Sequence, residues 1–152
     1  MKRLVAAIAL SAPLAAMGAE PYLGDPRLAL IDDPLRVEFR SAATLTKEKI
    51  RRAIAIAALS WEWKILAETD GRSELIRTVN SKHVMRVDVV YDPAGYAVRY
   101  LDSTNLLYEE TAESGGRVRA IHRNYNIWIG ELATTINSNL GVSTSITGKK
   151  TA

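Results

Sequence analysis

Residues 96–128 hold the densest group of side chains that can do chemistry. Ser103, Asp102 and His122 are the residue types of a hydrolase: a hydroxyl nucleophile, a carboxylate and an imidazole base. That chemistry needs the base within hydrogen-bond reach of the nucleophile and oriented by a third group. No Gly-x-Ser-x-Gly elbow surrounds Ser103, although α/β-hydrolases use one. Asp-Ser-Thr-Asn is also a common turn sequence. A small hydrolase centred on His122 is therefore kept as the alternative to the binding function described next.

The same residues favour a binding surface. Aromatic, hydroxyl, amide and carboxyl groups follow one another closely and lead into the start of a predicted helix, where polar or anionic groups are held well. Tyrosine rings beside amides and carboxyls suit a glycan or a peptide. The predicted binding residues are Tyr100, Asp102, Ser103, Asn105, Tyr108, His122 and Asn124.

An architectural role for the same amides is the alternative. Asn105, Asn124 and Asn126 have the side chains to hydrogen-bond the loop 102–108 to the helix start. A buried polar network of this kind is stabilising only when every member is satisfied. From the sequence, the binding and the architectural interpretations both stay open.

Metal and cofactor chemistry has little support in the sequence. His83 and His122 are the two histidines, and the chain has no cysteine. Neither histidine has a partner at the spacing that zinc sites use. Gly115-Gly116 lacks the Lys-Ser/Thr of a phosphate-binding loop. We therefore predict no metal site and no cofactor.

Two linked motifs carry a resemblance to a known family. The first is YAVRYLDSTNLLY at residues 96–108, and the second is IHRNYNIW at residues 121–128. Together they resemble a family of small, uncharacterised proteobacterial envelope proteins, many of them lipoproteins, over about residues 46–138. The resemblance implies an α+β domain in the cell envelope, and it brings no catalytic residues.

The N-terminus has the order of an export signal. Lys2 and Arg3 precede an uncharged apolar run at residues 4–17, and residues 16–18 form a small-x-small cleavage site. The run is shorter than the roughly 20 residues that span a bilayer. Met17 occupies the position at which the lipoprotein relatives carry the cysteine of the lipobox. We therefore expect a soluble periplasmic protein without a stable membrane anchor.

Composition indicates one nearly neutral domain. The chain has 20 basic and 17 acidic residues, and removal of the signal leaves 18 against 17. Nucleic-acid binders cluster Lys and Arg on one face, so we expect partners among envelope proteins, glycans or peptides and not among nucleic acids. The predicted segments are a signal at 1–18, an extended lead-in at 19–34, one α+β domain at 35–140 and a flexible tail at 141–152.

Two amphipathic helices are predicted. Thr46 is a good N-cap for the first, and a second apolar stripe begins near Ile121 and ends before the C-cap Gly141. Ile56 and Leu59 lie off the stripe of the first helix. Scattered exposed apolar residues are normal, but an assembly module that uses this pair is a third hypothesis, with the chain a monomer or a weak homodimer.

Four strands are predicted between the helices, at residues 62–68, 74–80, 83–91 and 96–101. The third alternates, with Met85 and Val87 on one face and Arg86 and Asp88 on the other. The short connections between the four strands favour an antiparallel meander, with a possible extra edge strand at residues 35–39 and a mobile loop at 109–119. Packing both helices on one face of the sheet buries their apolar stripes. The expected fold is therefore a two-layer α+β sandwich of order α-β-β-β-β-α.

Overall fold

The computed structural model describes residues 24–40, 45–113 and 115–150. The predicted signal and residues 19–23 lie outside the described residues. In chain order the elements are β1 (Leu28–Leu30), β2 (Asp32–Phe39), α1 (Lys47–Ser60), β3 (Lys64–Thr69), β4 (Arg72–Val79), β5 (His83–Asp92), β6 (Gly95–Thr104), β7 (Glu109–Glu113), β8 (Gly116–His122), α2 (Asn124–Leu140) and β9 (Thr144–Lys150). The predicted α+β class, with two helices and antiparallel strand pairs, is confirmed.

The larger sheet has six strands in the order β3-β4-β5-β6-β2-β9, so the expected four-strand meander is not the layout. β3 to β6 are neighbours, as their short turns predict, but β2 lies inside the sheet and not at its edge. Leu35 pairs with Val98 on β6 and with Gly148 on β9. β9 occupies residues that we expected in the flexible tail. These pairings join distant parts of the chain, and local turn signals do not encode them.

A second sheet has the order β1-β8-β7. Its β7–β8 hairpin occupies the residues for which we expected a mobile loop, and Glu113 pairs with Gly116 at its tip. The acidic composition of this stretch suggested a loop, yet Thr111 and Val118 pair in register. β1 lies in the expected lead-in and pairs with β8.

Both helices cover one face of the larger sheet and enclose the core. Thr46 caps α1, since its side chain accepts a hydrogen bond from the Lys49 amide at 3.2 Å. Gly141 ends α2 in the left-handed conformation that a C-cap requires, with φ 64°. α2 begins at Asn124, after the predicted start, because the preceding residues belong to β8.

None of the helices in the described ranges is long and apolar enough to cross a membrane. The largest fully buried core side chains include Ile50, Ile54, Leu75, Met85, Leu132 and Ile136.

The other face of β4, β5 and β6 carries a continuous chain of ion pairs, here called the charged face. Successive members approach within 2.7–3.3 Å. In order, they are Arg99, Asp88, Arg72, Glu74, Arg86 and Asp102. The predicted alternation of β5, which puts Met85 and Val87 towards the helices and Arg86 and Asp88 on the opposite face, is confirmed.

Candidate binding site

A β-bulge in β6 decides on which face of the sheet the predicted residues lie. Leu101 is the extra residue between Tyr100 and Asp102 in the pairing with β5. Because of it, Tyr100 and Ser103 lie on the helix side of the sheet. Asp102 lies on the charged face, where it pairs with Arg86 at 3.1 Å. The adjacent residues Asp102 and Ser103 are therefore directed to opposite faces.

Tyr100 and Tyr108 form the centre of the site. Their rings stack with centroids 4.6 Å apart and planes 15° apart, and Tyr125 of α2 meets Tyr100 edge-on at 5.6 Å. The Tyr100 hydroxyl shares a 2.9 Å hydrogen bond with the hydroxyl of Ser103. Burial raises the pKa of Tyr100, so this hydroxyl stays neutral at physiological pH and can donate and accept hydrogen bonds.

Arg119 of β8 lies beside both rings. Its guanidinium carbon is 5.8 Å from the centroid of Tyr100 and 5.7 Å from that of Tyr108, within the range of cation–π attraction. Its Nε donates to the Tyr108 hydroxyl at 3.0 Å, and its Nη1 donates to the Asp33 carboxylate at 2.5 Å. Burial opposes the charged form, but these hydrogen bonds outweigh it and raise the pKa of Arg119. The site therefore contains a fixed cation.

Asp33 connects Tyr100 and Arg119 through its carboxylate. It is not among the residues predicted from the sequence. Its side chain is 10% exposed. One carboxylate oxygen accepts from the Tyr100 amide at 2.7 Å, and the other accepts from Arg119. Asp33 lies in the expected lead-in at 19–34, and Arg119 lies in the expected mobile loop at 109–119. The available signal was an acidic residue between the apolar residues Ile31 and Leu35, since a buried carboxylate requires a cationic partner.

The loop between β6 and β7 is held in a strained backbone conformation. Asn105 and Leu107 have φ angles of 58° and 52°, in the left-handed region that is uncommon for a residue such as leucine. Leu106 between them is 1% exposed, and its carbonyl accepts from the His122 amide at 2.8 Å. Leu107 is consequently exposed at the pocket. Strain of this kind persists where the surroundings impose it, and it is concentrated at functional sites.

Asn105 ties this loop to the β4–β5 turn and not to the helix start. Its side-chain amide donates to the Lys82 carbonyl at 2.8 Å. Its own carbonyl accepts from the His83 Nδ1–H at 2.8 Å. The predicted polar contact of Asn105 is thus present, but its partners belong to a different part of the fold.

Asn126 makes the contact that joins the start of α2 to the rest of the fold. Its side-chain amide donates to the Leu30 carbonyl at 2.8 Å, and its side-chain oxygen accepts from the Asp32 amide at 3.0 Å. Among the described residues, no partner hydrogen-bonds the side chain of Asn124. The amide contacts of the motif therefore run to the strands on either side and do not form the single expected clasp.

The hydrogen bond of the His122 ring runs to the start of α2. Its Nδ1 accepts from the Asn124 amide at 3.2 Å, and its ring centroid is 6.4 Å from that of His83. Within the described ranges, no hydrogen bond joins His122 to Ser103 or Asp102, so the contacts of a hydrolase site are not formed. In the same part of the chain, no three His, Cys, Asp or Glu side chains cluster as metal ligands.

An open pocket of about 500 Å³ lies beside the tyrosine pair. Five of the seven predicted binding residues line it, whereas His122 and Asn124 do not. Stacked rings, hydroxyls and a fixed cation together favour binding by ring contact and hydrogen bonding. The lining residues are Tyr100, Leu101, Asp102, Ser103, Asn105, Leu106, Leu107, Tyr108 and Arg119.

Comparison with known proteins found no matching family model, no matching curated protein and no matching solved structure. The chemistry of the pocket is therefore inferred from its own geometry. In that geometry the rings, the cation and the loop are each held in place by contacts with neighbouring residues.

Proposed function

We propose that this chain is an exported periplasmic binding domain that acts without catalysis and holds part of an envelope component in the pocket beside Tyr100 and Tyr108. The observation that carries the proposal is the stacked tyrosine pair, which is held by the part-buried Asp33–Arg119 ion pair and borders the open pocket. The order of charge, apolar run and small residues at positions 2–18 supports export. The resemblance of the two motifs supports an envelope location.

The pocket offers complementary groups to a ligand of mixed polarity. A guanidinium has five N–H donors, and Arg119 uses two of them for Tyr108 and Asp33. The remaining donors and the Ser103 hydroxyl suit ligand oxygens, while the rings suit apolar or sugar surfaces. A pocket fixed before binding also loses little conformational freedom on binding. The candidate ligands are a peptide, a glycan or an exposed segment of an envelope protein.

Amide-resolved NMR titration tests this proposal. The probes are amino-sugar disaccharides of the kind that envelope glycans contain and short extended peptides. We expect at least one probe class to shift the amide signals of residues 100–108 in a saturable way. Shifts confined to the charged face, or none with any probe at millimolar concentration, would contradict the proposal.

Assembly through α1 is a second candidate, because two of its apolar side chains have no cover. Ile56 is 52% exposed and Leu59 is 80% exposed. Light scattering across a concentration series tests this role. A mass that rises with concentration in the native protein and stays monomeric in a Leu59→Lys variant supports it, and a monomer throughout rejects it.

A further inference from the structure

We infer that the ligand of this site is an extended cationic peptide segment that adds to the free edge of β7. The inference rests on the proposed function, because the tyrosine pocket holds one side chain of the added segment. It goes further by naming the class of ligand and the backbone that binds it. Three features carry it: the orientation of the edge, its unpaired charges and its continuity with the pocket.

The orientation of the free edge follows from hydrogen bonds on the far side of β8. The Arg119 carbonyl accepts from the Ile31 amide at 3.0 Å, so the backbone of Arg119 is directed at β1. Glu110 lies opposite Arg119, and its N–H and C=O are therefore directed away from β8. Ala112, two residues further, has the same orientation. All five residues of β7 are exposed, and a row of free backbone groups is what strand addition uses.

Unpaired carboxylates give this edge its preference for cations. Glu110 already accepts from the Tyr108 hydroxyl at 3.1 Å and pairs with Arg117 at 2.8 Å. Glu109 and Glu113 lie on the opposite face of β7, and neither forms an ion pair with another described residue. Opposite charges across neighbouring strands are stabilising, so lysine or arginine at alternate positions of the added segment complements this edge.

Tyr108 connects the edge to the pocket. It directly precedes β7, and its hydroxyl contacts Glu110 and Arg119, which lie on one face of the small sheet. Alternate side chains of an added strand lie on this same face. The segment that fits therefore alternates: cationic residues face Glu109 and Glu113, and apolar residues face the tyrosines.

The probe is a capped octapeptide of alternating Lys and Val, compared with a matched Glu–Val octapeptide. Ala112→Pro removes one outward N–H, at an edge position where proline is tolerated, and Ala112→Ser keeps it. We expect Ala112→Pro to weaken Lys–Val binding about five- to tenfold, as loss of one backbone hydrogen bond implies. We expect Ala112→Ser to bind within about twofold of the native protein. A Glu109→Gln/Glu113→Gln double variant should weaken binding about threefold or more, and the Glu–Val peptide should not bind.

Equal affinity of folded Ala112→Pro and Ala112→Ser overturns the inference, and so does equal binding of the two peptides. If Ala112→Pro does not fold, as judged by its melting curve, the glutamine double variant decides, and unchanged affinity there overturns the inference. Disaccharide shifts at residues 100–108, with none from the Lys–Val peptide, overturn this inference and leave the proposed function standing. If neither the disaccharides nor the Lys–Val peptide shift residues 100–108, both the inference and the proposed function are contradicted.

Discussion

Two arginine–carboxylate systems in this fold differ in their surroundings. On the charged face, six side chains pair in a continuous chain, and its outer members are open to water: Arg99 is 51% exposed and Asp102 is 56% exposed. At the site, a single pair joins Arg119 to Asp33, with side chains 21% and 10% exposed. The first system has more ion pairs, but the second lies beside stacked rings and an open pocket.

The difference shows that the burial and the neighbours of an ion pair decide its contribution to stability more than the number of ion pairs does. Exposed pairs gain little, because water and salt screen them and long side chains lose entropy. A buried pair whose partner is removed leaves an uncompensated charge. The exposed ends of the charged face are screened by water and salt, although Asp88 in its middle is only 4% exposed. The Asp33–Arg119 pair differs in its neighbours, because it holds two stacked tyrosines in one geometry.

The largest expected effect comes from breaking the part-buried Asp33–Arg119 pair. Asp33→Ala leaves the Arg119 guanidinium without its carboxylate partner and removes the acceptor of the Tyr100 amide. We therefore expect a loss of about 3–5 kcal/mol in the free energy of unfolding. Urea denaturation measures it. A loss below about 1 kcal/mol would place this pair with the exposed ones and erase the contrast between the two regions.

Two buried tyrosines, Tyr96 and Tyr125, allow the two ends of the core to be compared. The expected difference in the free energy of unfolding is about 1 kcal/mol. The Tyr96 hydroxyl lies 2.9 Å from the Ala133 carbonyl and 2.8 Å from the Asn137 side-chain oxygen. The Tyr125 hydroxyl, at the site end of the core, has no hydrogen-bond partner among the described residues. We expect Tyr96→Phe to cost about 1 kcal/mol and Tyr125→Phe to be nearly neutral. Equal losses in thermal unfolding would show that the two ends of the core are equally satisfied.

The strained loop gives a prediction in which stability and binding move in opposite directions. Leu107→Gly relieves a left-handed leucine and should raise stability by up to about 1 kcal/mol, while loss of the exposed side chain should weaken binding in the pocket. Ser81→Gly is the matched control, because Ser81 also has a positive φ of 58° but lies in the β4–β5 turn. Its binding should not change. Stronger binding by Leu107→Gly would show that the leucine blocks the pocket.

The smallest expected effect is on the charged face. Asp102→Ala removes the last member of the network, which pairs with Arg86 at 3.1 Å. Because Asp102 is exposed, we expect a loss below about 1 kcal/mol that shrinks further in high salt. Denaturation in low and high salt measures both quantities. A loss of more than about 2 kcal/mol would mean that the network acts as a cooperative unit.

Local signals predicted the regular parts of the fold. The Thr46 cap, the alternation of β5 and the Gly141 C-cap all follow from neighbouring residues, and each is confirmed. The positions of β2 and β9 were not predictable in this way, because their partners are far away in sequence. The β7–β8 hairpin was hidden by its acidic composition, which is also typical of loops.

The site was predictable only in its nearer half. Tyr100, Ser103, Asn105 and Tyr108 belong to one motif and line one pocket. The bulge at Leu101, which sends Asp102 to the other face, leaves no clear mark in the alternation that precedes it. Asp33 and Arg119 lie on strands of different sheets, and their pairing appears only after long-range assembly.

The most direct test compares the affinity of one variant from each region for a ligand that shifts residues 100–108. Tyr108→Ala removes half of the stacked pair, and Arg99→Ala removes an exposed arginine from the charged face. The account predicts that Tyr108→Ala weakens binding about tenfold or more while Arg99→Ala stays within about twofold, with both variants folded. Unchanged binding by Tyr108→Ala, or a larger loss in Arg99→Ala, would contradict it.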